Sequence, residues 1–448
     1  MNRATAAVRV TVPPPGQRAR RWAAYHLATA APATYVEGFI WDRTAPAIGP
    51  FCTDADGNVL LDFASHIGTA ALGYNHPALL EEAARCAVVD PDRYAGTDFI
   101  GAAGPDPDAP TLPTPAHLQH KLLELTAPFK FGRVFLSNSG AEAVENAIKC
   151  GYAARPAARY AITFEGAFHG RTLGALSLNR SKAVHRAFFP QIPQVLSLPF
   201  CTCAAACRCG WEEADGTSRL ARLLTPESGI VRPDEVAFII FEPVQGEGGF
   251  RVPRKAFLQE VARLARQHGI PLIADEVQSG MGRTGRWWAI EHFGVTPDLM
   301  TAGKALRVGA TLGRADLFPA EAGRLGGTWA EGNALSTAVG YRTIAVIERE
   351  GLLQNASRMG ERLLAGLRDL AGRYPHVVDT RGLGLMAAVE LDARERRGAV
   401  VRAALARGLV LLGCGVKAIR FLPPLDVAER EIGMALELLD AALKEAAA

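Results

Sequence analysis

Lys304 closes the run Pro297-Asp298-Leu299-Met300-Thr301-Ala302-Gly303-Lys304, and it is one of eight lysines among 49 basic residues. Arginine supplies nearly all the positive charge of this chain, so a lysine at the end of an apolar run stands out. Lysine can lose its proton on desolvation and attack a carbonyl to form an imine, which arginine cannot do. Four other apolar runs also end in reactive residues. Val134-Phe135-Leu136 leads into Ser137-Asn138-Ser139-Gly140-Ala141-Glu142, and Ile162-Thr163-Phe164 leads to Gly166-Ala167-Phe168-His169-Gly170-Arg171. Val236–Phe241 is followed by Glu242-Pro243-Val244-Gln245-Gly246-Glu247-Gly248-Gly249, and Ile270–Ala274 by Asp275-Glu276-Val277-Gln278-Ser279-Gly280. Carboxylates directly after apolar strands are costly to bury unless a cation meets them. Each residue also has a plainer reading. Ser139 is an ordinary helix cap, Phe168 is core, His169 is a satisfied structural histidine, Glu247 faces solvent, and Arg171 serves its own turn.

The elements that must carry these residues are short strands alternating with helices from about residue 133 to 305. That texture predicts an α/β fold built on a large, mainly parallel sheet. The strands are Arg133–Ser137, Arg159–Phe164, Val236–Phe241, Ile270–Ala274 and Asp298–Ala302, with helices at Ala141–Ala154, Arg254–His268 and Thr337–Glu350. Open parallel sheets bind ligands outside the carboxyl ends of their strands. Five such ends would therefore bring small-residue N–H groups, an aromatic face, carboxylates and an amine to one edge. Together they describe a phosphorylated aromatic aldehyde with a ring nitrogen that stays protonated, which is pyridoxal 5′-phosphate. Lys304 would hold it as an imine and Asp275 would pair with the ring nitrogen. Ser139, Gly140 and Ala141 would take the phosphate at a helix N-terminus. Phe168 would stack on one ring face, Val277 would press on the other, and Gln278 would reach the ring hydroxyl, with His169 and Glu242 beside them.

Composition excludes some alternatives. The 448 residues are 49% hydrophobic with a net charge of +3, long enough for two or three domains and free of any basic tract suited to nucleic acid. No apolar run approaches the ~18 residues of a membrane span. The first twenty residues hold no apolar secretory segment, so a soluble, cytoplasmic protein is expected. Pro13-Pro14-Pro15-Gly16 suggests a loose N-terminal arm, and residues 98–115 a loop at the mouth of a site. Four of the eight cysteines, Cys201, Cys203, Cys207 and Cys209, are spaced C-x-C-x3-C-x-C. They admit zinc binding, disulfide pairing, or reduced thiols on a surface insertion; C-x-C is tighter than the usual structural-zinc spacing, and no metal ligand is assigned.

From about residue 35 to the end, the chain resembles the class III (subgroup II) pyridoxal-phosphate-dependent aminotransferases, a fold-type-I family. The runs Ser137–Ala143, Phe168–Thr172, Glu242–Gly249, Ala274–Gly280 and Thr301–Lys304 carry the resemblance. Within the family it is most similar to 4-aminobutyrate aminotransferases, through Glu242–Phe250, Ala274–Gly285, Gly326-Gly327-Thr328 and Arg381–Gly384. The resemblance implies a homodimer, or a dimer of dimers, in which Thr328 reaches the cofactor phosphate of the other copy. It implies that Lys304 shuttles the proton, and that a small-molecule amino donor and a 2-oxo acid acceptor alternate in a ping-pong cycle. It further implies that Arg420 grips an α-carboxylate, Arg171 holds the distal carboxylate, and Glu247 covers Arg420 when an ω-amino substrate is bound. The expected activity is transfer from a 4-aminobutyrate-like ω-amino acid to 2-oxoglutarate. Amino-acid racemisation, or ornithine, lysine or diamine transamination, are the alternatives on the same fold.

Three features depart from that pattern. Thr328-Trp329-Ala330-Glu331-Gly332-Asn333 carries an extra residue, which unsettles the register of Thr328. Residues 201–216 resemble segments of archaeal-type relatives, some of which racemise amino acids. Gly68–Gly73, expected in the substrate pocket, is small and bland. The expected organisation is an N-terminal segment (1–75) packing with the small domain, a large cofactor-binding domain (76–325), and an interface segment with a small α+β domain (326–448).

Overall fold

The computed structural model of the chain describes residues 1–34, 38–86, 89, 90, 92–192, 194–225, 230–326 and 332–447. These form two compact units, residues 78–350 and a second unit assembled from 1–77 and 351–448.

The large unit is built on seven strands: β1 (Arg133–Ser137), β2 (Tyr160–Phe164), β3 (Val195–Leu198), β4 (Val236–Phe241), β5 (Leu272–Asp275), β6 (Leu299–Ala302) and β7 (Gly309–Gly313). Their order across the sheet is β1-β7-β6-β5-β4-β2-β3. Neighbours from β6 through β3 pair in parallel, while β7 is antiparallel to both β6 and β1. β1 therefore runs in the same direction as β2 to β6, and all the expected strand ends lie on one edge.

β4 is buried along its whole length, the pattern of a parallel strand covered on both faces. Helix α1 (Gly140–Ala154) lays Val144, Ala147 and Ile148 against Phe238, Ile240 and Ile273. Helix α2 (Lys255–Gln267) buries Phe257, Leu258, Val261, Ala262, Leu264 and Ala265, a stripe at helical spacing. Each of its phenylalanine, leucine and valine side chains contributes roughly 1.5–3 kcal/mol when fully buried.

The five expected strands are present, with ends shifted by up to two residues. β3 and β7 were not foreseen. β7 reads Gly309-Ala310-Thr311-Leu312-Gly313, too small and glycine-flanked to read as a strand. Its glycines are steric: a Cβ on Gly313 would lie 2.5 Å from Leu299 Cδ2.

In the second unit, Val377–Leu383, Met386–Leu391, Ala418–Phe421 and Leu412–Cys414 form a four-stranded sheet in that order. The stretch 409–414 is split between two sheets. Leu409–Val410 joins Val59–Asp62 and Phe51–Thr53 in a separate three-stranded sheet. Nor is the N-terminal arm loose. Arg3 pairs with Asp426 and, at 2.8 Å, with Glu431; Gly16 N and Arg18 N each donate to Asp56 at 2.9 Å. Helix α3 (Ala334–Arg349) belongs to the large unit, and the second unit resumes at residue 351.

Candidate active site

The buried centre of the site is Asp275, the last residue of β5. Register sets it opposite Thr301 on β6, whose hydroxyl donates to Asp275 Oδ1 at 2.9 Å, and Val277 N donates to the same oxygen at 3.1 Å. His169 Nδ1 lies 2.7 Å from Asp275 Oδ2, and an ionised carboxylate only accepts, so the imidazole N–H points at it. His169 is itself fixed by its backbone N–H, which donates to Asn179 Oδ1 at 2.6 Å. Strand alternation sends the neighbouring carboxylate elsewhere. Glu276 accepts from Ser279 Oγ at 2.5 Å and Ile290 N at 2.7 Å, and burial pushes its carboxyl up to about 7.

Glu242 ties two strand ends together. Its Oε1 accepts from Phe168 N and its Oε2 from Gly246 N, both at 2.9 Å. Both oxygens are thus engaged by backbone, making Glu242 a brace for the turn that presents Phe168. Burial pushes its carboxyl up to about 7, with Asp275 adding to the rise and His169 opposing it.

Lys304 follows β6 after an extended Gly303 and is itself left-handed, at φ 46°. A non-glycine residue in this region is strained, and here the strain falls on the residue expected to react. Close packing requires glycine nearby: a Cβ on Gly140 would lie 2.6 Å from Val277 Cγ1, and one on Gly303 would lie 3.2 Å from Gly140 Cα. α1 thereby starts hard against the Val277 turn and Gly303. Ser139 is the N-cap, its hydroxyl accepting from Glu142 N at 3.2 Å. That bond leaves the N–H groups of Gly140 and Ala141 without an acceptor among the described residues, as the first turn of a helix must.

Phe168 is half-buried, with the His185 ring edge-on at 5.4 Å and Arg171 Cζ 5.5 Å from its centroid. Lys182 pairs with Glu247. His185 senses Arg171, Glu247 and Lys182 together, although burial is the main reason its pKa is lowered. Two cations and one carboxylate therefore gather beside Phe168. Arg420 belongs to the second unit, where it is buried on Ala418–Phe421, opposite Ala388 and Leu412. Thr328 and Glu331 lie outside the described residues.

Lys182, His185, Asn179 and Thr301 were not assigned roles from sequence. Lys182 carried a usable signal, since the scarcity of lysine that singles out Lys304 applies to it equally. Nothing local marks Asn179, which works through a loop closed ten residues back onto His169.

Several polar groups here await a ligand. Buried Gln278 Oε1 and His169 Nε2 have no hydrogen-bond partner among the described residues. The Gly140 and Ala141 N–H groups form an anion cradle, and glycines keep it open. An amine, a buried carboxylate, an aromatic face, an amide oxygen and an anion cradle suit the parts of pyridoxal phosphate. The residues fit the group.

Comparison with known proteins agrees. The family model described as aminotransferase class-III matches residues 42–443. A probable 4-aminobutyrate aminotransferase of Bacillus subtilis is 35% identical over 409 residues, covering 87% of this chain and 90% of the relative. An alanine/serine racemase of Pyrococcus horikoshii is 33% identical over 417 residues, covering 89% and 84%. Among solved structures, a lysine aminotransferase from M. tuberculosis superposes with a TM-score of 0.80 at 29% identity, covering 94% of this chain and 98% of that one. The chain belongs to the class-III aminotransferase family. It is a fold-type-I, pyridoxal-phosphate-dependent enzyme.

Proposed function

We propose that this enzyme moves the amino group of a 4-aminobutyrate-like ω-amino acid to 2-oxoglutarate in alternating half-reactions. The observation that carries this reading is the charge set beside Phe168, where Arg171, Lys182 and the carboxylate of Glu247 gather around His185. Such a set favours substrates with a carboxylate remote from the reacting amine, which both partners of this reaction possess. The name of the B. subtilis relative points the same way.

When bound, the protonated cofactor ring supplies an electron sink for the bonds at the substrate carbon. The chain supplies the rest. Lys304 holds the cofactor and then moves the proton at that carbon. Asp275, fixed by Thr301 and His169, keeps the ring nitrogen protonated. Ser139, Gly140 and Ala141 hold the phosphate, Phe168 and Val277 flank the ring, and Gln278 Oε1 meets its hydroxyl. Glu242 positions Phe168. Arg171 takes the distal carboxylate and Arg420 the α-carboxylate of glutamate, with Glu247 neutralising Arg420 in the other half-reaction. In the structure Glu247 pairs with Lys182.

A second copy of the chain completes the site, Thr328 of each copy reaching the cofactor phosphate of the other. Val89, Tyr94, Phe99, Ile100 and Phe188 are each more than 65% exposed in the single chain, which supports such a partner. Among the described residues no helix is long and apolar enough to cross a membrane, and a cytoplasmic setting is part of the proposal.

Racemisation is the second reading, supported by the P. horikoshii relative. The cofactor absorbance separates the two: 4-aminobutyrate should bleach it and 2-oxoglutarate restore it. Loss of optical activity from alanine or serine without a keto acid would replace transfer by racemisation. Bleaching by ornithine or lysine but not by 4-aminobutyrate would move the donor class. Glu247→Ala should slow the 4-aminobutyrate half-reaction at least tenfold more than the glutamate half-reaction, and equal losses would remove the switch.

A further inference from the structure

We infer that Cys201, Cys203, Cys207 and Cys209 form a tetrathiolate site for one zinc ion. The sequence left this cluster open among metal, disulfides and free thiols, because its spacing is unusual. Geometry decides differently from spacing. All four sulfur atoms lie within 4.8 Å of one another. A zinc ion with bonds of about 2.3 Å in a tetrahedron separates its sulfurs by about 3.8 Å, so the set surrounds a single centre with little adjustment. Cys207 Sγ and Cys209 Sγ are 3.5 Å apart, far beyond the ~2.05 Å of a disulfide. Four sulfurs sharing one point suit a single ion.

The surroundings are those of a thiolate site. Arg208 N donates to Cys203 Sγ at 3.4 Å, and backbone N–H groups of Cys209, Trp211 and Glu212 face the Cys207 sulfur. Such contacts orient metal-bound thiolates and spread their charge. Four thiolates on one divalent ion leave two negative charges. Arg254 brings one positive charge to the loop: it donates to Ala205 O at 3.3 Å and also pairs with Glu212. Cys201 is buried and the other three are half-buried, so the site is enclosed yet reachable by an ion.

A metal also answers a structural need. Between Cys201 and Cys209 the loop offers only threonine, alanine and arginine side chains, too little apolar surface to pin nine residues in place. Both of its ends are anchored. Arg254 N donates to Cys201 O at 2.9 Å, and buried Trp211 meets Phe257 of α2 edge-on at 4.6 Å. Between those anchors the sulfurs converge, which is how small apolar-poor segments gain order from zinc. With four protein ligands the site has no open position for substrate, so its role is structural. What it holds lies next to the catalytic turn: Arg251 donates to Phe200 O at 2.9 Å, and Arg251 pairs backbone to backbone with Gln245 at 3.0 and 3.1 Å.

The test uses the full-length holoenzyme purified without chelator. Elemental analysis should find one zinc per chain, and a mercurial thiol reagent should release it in step with thiol titration. Cobalt exchanged into the site should give the thiolate charge-transfer and d–d bands of a tetrahedral centre. A Cys203→Ser/Cys207→Ser double variant should lose the zinc while keeping the cofactor absorbance. If that variant does not fold, the wild-type stoichiometry and cobalt spectrum still decide. Four freely reactive thiols with no metal after exposure to zinc, a disulfide found by mass, or bound iron in place of zinc would each overturn the assignment.

Discussion

At the scale of single residues, the site works by holding a few polar atoms where a flexible chain would not. Asp275 is held by Thr301, Val277 and His169, and His169 in turn by Asn179. Lys304 and Asp275 were legible because an amine or an acid directly after an apolar run has a cost that must be met. Asn179 and His185 were not, since their partners are set by how loops close. Glu242 was legible as a site residue, but its bracing role was not, because that depends on two backbone N–H groups from separate turns. Its titration gives a prediction. Unfolded, the carboxyl ionises near its ordinary 4.5; folded, it keeps its proton until about 7. Between those pH values the unfolded chain binds fewer protons, so stability falls as pH rises through the window, by up to about 3 kcal/mol from this one group. Glu242→Gln should flatten that part of the pH–stability curve of the cofactor-free protein, on top of a constant loss for the N–H left without an acceptor. A slope identical to wild type in chemical denaturation between pH 4.5 and 7 would count against it.

At the scale of elements, chemistry depends on how closely α1 approaches the β5 and β6 ends. Gly140→Ala would place a methyl 2.6 Å from Val277 Cγ1, and the helix or the Val277 turn must give way. The expected outcome is a loss of about 1–3 kcal/mol of stability. It should be accompanied by at least tenfold weaker cofactor binding, read by absorbance titration, because the phosphate N–H groups move with the helix. An unchanged cofactor affinity would separate the cradle from α1. Strands with continuous apolar residues, such as β4, were plain in the sequence. β7 was invisible because its glycines serve a close approach to β6 that only the sheet explains.

At the scale of the whole molecule, the exposed apolar residues Tyr94, Phe99, Ile100 and Phe188 argue for assembly. Phe99→Asp combined with Ile100→Asp should shift the protein toward monomer in analytical ultracentrifugation and reduce activity at least tenfold. A dimer of wild-type stability would place the interface elsewhere. The small domain's C-terminal portion was expected from the sequence within residues 326–448. Its other part was expected in the N-terminal segment 1–75, although nothing local announces that Arg3 will meet Asp426 and Glu431.

That meeting has a consequence for synthesis. Arg430 also donates to the backbone oxygens of Arg3 and Ala6, so residues 3 and 6 find their partners in a segment made only after the large unit. Residues 78–350 hold their own sheet and can fold while the chain is still being made, as domains generally do. Residues 1–77 must wait, with Phe39, Phe51 and Phe63 unhoused, until residues 351–448 have been made. The second unit is thus assembled from two segments separated by the whole of the first unit, and it is the later of the two units to fold.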